Sequence, residues 1–524
     1  MSKKSSFIIL IFMFIMSIIL YGCGSESNTS DDSSKASGEA DGSELKVGIK
    51  IEPPVLDPVI SSAADVTYIT RQVYETLVSY DENFEVVPML AESFNVSDDN
   101  KNITFDLRED VKFHNGEEMQ ADDVVASMER WLKNAESAKP IKDEVTFEAI
   151  DDYTVELESE KGSVTTLETL AGMTQIPAIM PKDIVESAES DGVDEIIGTG
   201  PFKFEEWKND EYVHLKKYDD YQPVDEPASG ISGKKEALVD DLYFEFVEDS
   251  STFLSGTKTG EYDVAYDIPL EYQEELESDP DLNAETQYNG FLSMYLNKDE
   301  GIFEDEKIRQ AVETAINQED ILKSAYLSDY KVSPSYIIDE NNDFYSESGS
   351  EYLEKQDIDE AKKLLDNSDY DGEEVQIITT HDYEEFYNAS VVLEDELKEI
   401  GMQTKLVVQD WPTLVSTFRE DSSGWDLYPV SSVQEYNPLD LLFLSEDFPD
   451  GPKDENVYEL REEIRYAETE EEAQEKWDEL QERLFKHAYI IKFGDFSMLN
   501  VTKENVEGFS DFGGPVLWNT KKGM

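Results

Sequence analysis

Side chains that could do acid–base, metal or nucleophilic chemistry are abundant in this 524-residue sequence, but their spacing matches no catalytic motif. The four histidines, at 114, 214, 381 and 487, are far apart, and none lies at metal-ligand spacing from another. Gly-x-Ser-x-Gly, His-Glu-x-x-His and Walker signatures do not occur. Paired carboxylates are no evidence for acid–base catalysis in a chain with 120 acidic residues, because such pairs occur throughout it. The patterns favour a binding protein over an enzyme.

One segment has the position expected of a ligand site. Residues 425–430 are predicted to form a strand, and a helix is predicted from Leu439 to Leu444. In α/β lobes, ligands bind at the carboxyl ends of strands. The loop between the two elements, Ser431 to Pro438, is therefore a candidate for ligand contact.

Alternating helices and strands are predicted on both sides of this segment, in the second half of the chain. A parallel sheet with helical crossovers is the arrangement that such an order favours. The predicted elements are a helix at 359–365, a strand at 375–379, a helix at 391–400, a strand at 406–408 and a long charged helix at 457–486.

An earlier stretch, Asn102 to Leu132, changes its hydrophobic period along its length. Ile103, Phe105 and Leu107 alternate with polar residues, which predicts a strand. From 121 onward the apolar residues fall on one helical face, which predicts a helix.

The N-terminus predicts export. An apolar run from Phe7 to Leu20 follows two lysines and is short for a membrane span but suited to a secretory signal. It ends in Leu-Tyr-Gly-Cys at 20–23, which resembles a bacterial lipobox and predicts lipidation of Cys23, the only cysteine. Residues 1–22 are thus predicted to be a signal peptide, and 23–43 the lipidated Cys with a flexible acidic tether. The alternatives are an ordinary signal peptide or an uncleaved anchor.

The formal net charge of −77 limits the possible partners. A surface of this sign repels nucleic acid and anionic lipid, so neither is expected as a partner. The charge is spread along the chain, which indicates adaptation to a high-salt exterior, where ions screen the repulsion. Attraction of cationic ligands is the alternative explanation.

Six segments, in this order, resemble the bacterial solute-binding proteins of family 5, which serve peptide-type ABC importers. They are Pro-Val-Leu-Asp-Pro (54–58), Val-Lys-Phe-His-Asn-Gly (111–116), Gly-Thr-Gly-Pro-Phe (198–202), Gly-Glu-Tyr-Asp (260–263), Ile-Arg-Gln-Ala-Val (308–312) and Trp-Asn (518–519). The resemblance implies an α/β fold of the periplasmic-binding-protein type: class II, two-lobed, in the large three-subdomain variant, with a hinge between the lobes. It suggests a first lobe at 44–289 with a peripheral subdomain at 82–196, completed by 495–524, and a second lobe at 290–494.

The resemblance also implies ligand-binding residues. In family members that bind peptides, an acid at the place of Glu435, usually Asp, holds the ligand's N-terminal ammonium, and Tyr436 and Asn437 follow it here. Asp440, a turn later, is the alternative acid. Trp411 matches an aromatic residue that lines the pocket. The loop with Glu52 and Pro54 matches one that borders the cleft.

The function implied is capture of di- or oligopeptides by a monomeric, lipid-anchored protein outside the cell membrane, or in the periplasm of a diderm. Handover to an ABC permease and ATPase would follow, without a cofactor, a metal or bond chemistry. Nickel chelate, heme, glutathione or an oligosaccharide are alternative ligands. A peptide-sensing receptor and an exported hydrolase are alternatives of a different class.

Overall fold

The structure is a computed structural model, and it describes residues 44–353, 356–420, 422–446, 448–449 and 451–523. The predicted signal peptide, Cys23 and the tether lie outside these residues.

The strands are numbered along the chain. Their bounds are β1 Glu44–Ile49, β2 Val78–Tyr80, β3 Val86–Pro88, β4 Ala91–Val96, β5 Asn102–Leu107, β6 Val145–Asp151, β7 Thr154–Ser159, β8 Phe202–Lys208, β9 Tyr212–Lys217, β10 Asp241–Phe246, β11 Val264–Ile268, β12 Leu282–Leu296, β13 Tyr330–Lys331, β14 Glu374–Thr379, β15 Gln403–Val408, β16 Leu427–Val433, β17 Ile490–Lys503, β18 Val506–Glu507, β19 Ser510–Asp511, β20 Pro515–Val516 and β21 Lys521–Lys522.

The α-helices are numbered in the same way, and short 3-10 turns are named where they matter. The helix bounds are α1 Ala64–Thr70, α2 Ala121–Asn134, α3 Thr166–Ala171, α4 Lys182–Ser187, α5 Ser250–Thr259, α6 Gln273–Glu277, α7 Glu306–Ala315, α8 Gln318–Tyr326, α9 Ile358–Asp366, α10 Glu384–Glu399, α11 Trp411–Glu420, α12 Glu455–Arg465 and α13 Glu470–Lys486.

The largest sheet within the described residues has 11 strands, in the order β15-β14-β16-β12-β17-β11-β1-β10-β9-β8, with β13 beside β17. β14 pairs in parallel with β15 and β16, as the alternating pattern predicts. β12 is antiparallel to both β16 and β17. We call the part with β14–β16 the second lobe and the part with β1 and β8–β11 the first lobe; β12 and β17 lie between them.

The long strands β12 and β17 connect the two lobes. They pair from Leu282 opposite Lys503 to Tyr295 opposite Ile490. Their register shifts between Tyr288 and Gly290, so the ladder is irregular near the middle of both strands. Gly290 is required there, because a Cβ atom would lie 2.2 Å from the Ser432 carbonyl oxygen. Local irregularity of this kind allows a sheet to bend between two packed bodies.

A smaller sheet, β4-β5-β7-β6, packs with α2 around a core of its own, and we call this part the peripheral subdomain. Ile103, Phe105 and Leu107 of β5 are buried, and so are Met128 and Trp131 of α2. The strand and helix predicted for the stretch 102–132 are therefore confirmed. Their apolar faces form one core.

Asp57 connects this subdomain to the loop after β1. Its carboxylate is fully buried and accepts hydrogen bonds from both terminal nitrogens of Arg130 on α2. It also accepts from the backbone nitrogens of Val59, at 3.0 Å, and Val193, at 3.1 Å. Four donors satisfy the buried charge, so Asp57 fixes three chain segments against one another.

Two predicted helices differ from the observed structure. The run predicted as one helix at 457–486 forms α12 and α13, because Thr469 begins a new helix: its hydroxyl accepts from Glu472 N at 3.2 Å. The helix predicted at 439–444 is replaced by two 3-10 turns, Pro438–Asp440 and Leu442–Leu444. Local capping interrupts both hydrophobic patterns.

A half-buried acid on α10 predicts a measurable pH effect. Glu396 Oε2 accepts from Asn317 N at 3.1 Å, and burial raises the pKa of Glu396 from 4.5 to about 7. The folded protein therefore binds more protons than the unfolded chain between these pH values, so stability falls as pH rises. Glu396→Gln keeps an acceptor without the charge. We expect its melting temperature to exceed that of the wild type by about 1–3 °C at pH 8 and to match it at pH 4.5.

Thermal melts across this pH range would check the expectation. Asp395→Asn changes an exposed acid of the same helix and is the control. An equal shift at all pH values would show that ionisation of Glu396 is not the cause.

Candidate ligand-binding site

The candidate residues Glu435, Tyr436 and Asn437 lie just after β16, in a turn fixed by hydrogen bonds. The Asn437 Oδ1 atom accepts from Leu439 N at 2.9 Å. The Asn437 carbonyl oxygen accepts from Asp440 N at 3.0 Å. The turn thus holds two acids, Glu435 and Asp440, on one fixed backbone.

Tyr436 attaches this second-lobe turn to the first lobe. Its ring stacks on Phe84 at a centroid distance of 4.6 Å and lies parallel to Phe512 at 6.0 Å. Tyr80 lies beside it at 6.1 Å, and the Tyr436 carbonyl oxygen accepts from Asn342 Nδ2 at 3.0 Å. Tyr436 is only 7% exposed, so the ring packs in the core of the peripheral subdomain.

The carboxyls of Glu435 and Asp440 interact electrostatically. Burial raises the pKa of the Glu435 carboxyl well above its usual range, and the nearby Asp440 raises it further. Burial also raises the pKa of Asp440, while Arg461 lowers it. The terminal nitrogens of Arg461 donate to the carbonyl oxygens of Leu439 and Leu444, each at 3.0 Å. Two carboxyls that ionise with difficulty favour a positively charged ligand group.

Trp411 begins α11 and is partly buried in the second lobe. Its ring makes an edge contact with Tyr383 at 4.8 Å and a tilted contact with Phe386 at 6.1 Å. Its backbone nitrogen donates to Asp382 Oδ2 at 2.7 Å. The core contacts account for part of the ring, and its predicted role in lining a ligand pocket stays a prediction.

Glu52 and Pro54 lie in the loop after β1. Both carboxylate oxygens of Glu52 have partners in the β8–β9 hairpin: Oε1 accepts from Trp207 Nε1 at 2.8 Å, and Oε2 accepts from Asp210 N at 3.0 Å. Pro54 is exposed. These contacts give Glu52 a role in holding the loop, and its predicted role in ligand binding stays a prediction.

The structure also brings together acids that sequence reasoning missed. Asp65 and Asp267 of the first lobe and Glu385 of the second lobe all influence the pKa of Tyr383. Burial raises the pKa of Asp65 to about 6 and that of Asp267 to about 7, and it raises the pKa of Glu385. Lys50 lowers the last two values. This second acidic group also contains residues of both lobes.

The sequence pattern does not identify Asp267 as a site residue. Asp267 lies at a register shift between Ala265 and Ile268 and has a φ angle of +57°. Its backbone nitrogen donates to Asn500 Oδ1 at 3.1 Å. A bulge of this kind turns a side chain out of the regular alternation, which periodicity does not predict.

Two negative findings apply to the part of the chain that the structure describes. It contains no group of three or more His, Cys, Asp or Glu side chains suited to a metal ion. Its helices include none with the length and apolar character of a membrane span.

The fold defines a class of protein. A solved structure of the periplasmic binding protein AgaA from A. tumefaciens R10, in complex with agropinic acid, superposes with a TM-score of 0.80 at 24% identity. The match covers 92% of this chain and 99% of that one. The described chain thus has the two-lobed α/β fold of class II periplasmic binding proteins, as the sequence resemblance predicts.

The family model for "Bacterial extracellular solute-binding proteins, family 5 Middle" matches residues 85–445. This chain therefore belongs to the bacterial extracellular solute-binding proteins of family 5. It is 27% identical to a probable peptide ABC transporter periplasmic-binding protein of Sinorhizobium fredii, over 89% of this chain and 91% of the relative. It is 26% identical to the dipeptide-binding protein DppE of Bacillus subtilis, over 94% of each chain.

Proposed function

We propose that this protein captures peptides between its lobes and delivers them to the permease and ATPase of an ABC importer. The observation that carries the proposal is the hydrogen-bonded turn after β16, which holds the carboxyls of Glu435 and Asp440 on one backbone. A peptide's N-terminal ammonium would supply the positive charge that this half-buried pair favours. Family membership and the peptide-binding names of two relatives support the same ligand class.

In this proposal Glu435 accepts hydrogen bonds from the ammonium, and Asp440 strengthens the field. Tyr436 and Asn437 hold the turn, while Trp411 and the loop with Glu52 and Pro54 border the rest of the ligand. Strand edges and loops would pair with the peptide backbone, so affinity would depend little on side-chain identity. The mechanism is capture and handover by a monomer, without a cofactor or bond chemistry.

We propose that the lobes close by a hinge at the crossings near 289/290 and 494/495. The first lobe would then comprise 44–289, with its peripheral subdomain at 82–196, and 495–524; the second would comprise 290–494. The register shift between Tyr288 and Gly290 supports the first crossing. Hinge closure around a ligand is the usual motion of binding proteins with this architecture.

Ligands that co-purify would test the proposed class directly. Protein from its native host would be denatured, and the released small molecules would be identified by mass spectrometry. We expect short peptides with free N-termini. Recovery of glutathione alone, a nickel chelate, heme or an oligosaccharide would replace the peptide assignment by that ligand.

We further propose that residue 23 anchors the protein to the outer face of the cell membrane. The support is the apolar run at 7–20 and the Leu-Tyr-Gly-Cys segment. Cys23→Ala should move most of the protein from the membrane fraction to the medium or periplasm, because a thioether-linked lipid cannot form. Immunoblotting of the fractions measures this, with Ser25→Ala as the control. Retention of the variant in the membrane would contradict the lipid anchor.

A further inference from the structure

A third carboxyl group, from the first lobe, interacts electrostatically with Asp440. It belongs to Glu168 on α3, in the peripheral subdomain. The hydroxyl of Tyr80 donates to the Glu168 carbonyl oxygen at 3.2 Å, and the Tyr80 ring lies 6.1 Å from the ring of Tyr436. Tyr80 therefore connects the backbone of Glu168 to the residue next to Glu435.

Electrostatic effects on pKa values connect the same residues. The carboxyls of Glu168, Asp440 and Glu435 all influence the pKa of Tyr80. Asp440 also acts on Glu168, together with Glu470 at the start of α13. Three acids from two lobes thus act on the same residue, Tyr80.

Polar atoms in this region lack partners within the described structure. One is Oε2 of Glu168, which is buried. Another is Nδ2 of Asn437, a residue that is 0% exposed and stands between Glu435 and Asp440 in the sequence of the turn. A buried amide nitrogen without an acceptor is costly unless a ligand or water supplies one. A peptide's first carbonyl group lies two bonds beyond its ammonium nitrogen and could supply such an acceptor.

We propose that Glu168 is a specificity residue of the ligand site, and that the ligand's ammonium is shared by Glu435 and Asp440 of the second lobe and Glu168 of the first. The inference rests on the proposed function and deepens it. A cation held by both lobes makes closure depend on the charge of the ligand. A neutral ligand end would leave three carboxyls facing one another.

Proton release is a consequence of this arrangement. Burial raises the pKa of Glu168 to about 7, and Glu470 and Asp440 raise it as well. Near pH 6 the Glu168 carboxyl is therefore largely protonated without a ligand, and Arg461, which acts on Asp440, is the nearby cation. An incoming ammonium favours the ionised carboxyls, so binding releases protons to the buffer.

Calorimetry with a tripeptide and its N-acetylated form would test the role of Glu168. Titrations at pH 6 in two buffers of different ionisation enthalpy give both the affinity and the number of protons released. We expect Glu168→Gln to weaken binding of the free tripeptide about tenfold, to release fewer protons and to leave binding of the acetylated form unchanged. Glu168→Asp, which keeps the charge, should retain more affinity than Glu168→Gln.

Glu186→Gln, an exposed acid on α4 in the same subdomain, is the matched control. If Glu168→Gln bound the peptide with unchanged affinity and proton release, the inference about Glu168 would be overturned. Peptide binding by the wild type would still uphold the proposed function. Equal weakening for the free and acetylated peptides would also overturn the inference about Glu168, because a general structural defect would explain that result. Absence of peptide binding by the wild type would overturn both.

Discussion

Glu435→Gln is expected to weaken binding of free peptides by about 30-fold or more, equivalent to roughly 2 kcal/mol or more. The substitution removes a charged acceptor from a half-buried position, while the amide keeps nearly the same shape. Asp440 would remain close by and could not move into its place, since its turn is fixed by Asn437. The measurement is calorimetric titration of wild type and variant with one peptide in its free and N-acetylated forms.

The acetylated peptide separates charge recognition from general damage. It lacks the ammonium, so the wild type and Glu435→Gln should bind it with similar, weak affinity. Glu446→Gln, an exposed acid later in the same loop region, is the control variant. Equal losses for the free and acetylated peptides would remove the anchor role from Glu435.

Asp57→Ala is expected to lower the free energy of unfolding by about 3–5 kcal/mol. The substitution leaves the Arg130 guanidinium buried without its partner, and it removes the acceptor for Val59 N and Val193 N. The loop after β1 and the peripheral subdomain lose the same attachment. Thermal and urea unfolding, monitored by circular dichroism, would measure the loss.

Asp98→Ala, an exposed acid in the same subdomain, serves as the control and should change stability by less than about 0.5 kcal/mol. A second variant, Arg130→Met, removes the other member of the pair and should also be destabilising. If Asp57→Ala were as stable as this control, the buried pair would not be the connection between the segments.

Local patterns predicted much of the fold. The alternation at 103, 105 and 107 identified β5, and the change of period at 121 identified α2, because each pattern reflects burial on one face. Hydrophobic patterns failed where a single capping residue decides where a helix begins or ends. Thr469 ends one helix region and begins another, although the hydrophobic stripe continues on both sides.

The candidate site was only partly accessible from the sequence. The turn at Glu435 could be found because it follows a predicted strand and resembles a family segment. Glu168 precedes Glu435 by 267 residues, and nothing in its local sequence distinguishes it from the many other acids. Its proximity to Asp440 depends on the packing of Tyr80 and Tyr436 across the lobes. Long-range placement of this kind follows from the tertiary structure.

The most direct test of the central claim is a calorimetric titration of the wild-type protein with a mixed set of di- to pentapeptides. Glutathione, a nickel–histidine chelate, heme and an oligosaccharide would be titrated in parallel. We predict saturable binding of peptides with free N-termini, tighter than binding of any of the other compounds. Tight binding of one of those compounds, with no heat from the peptides, would contradict the proposal.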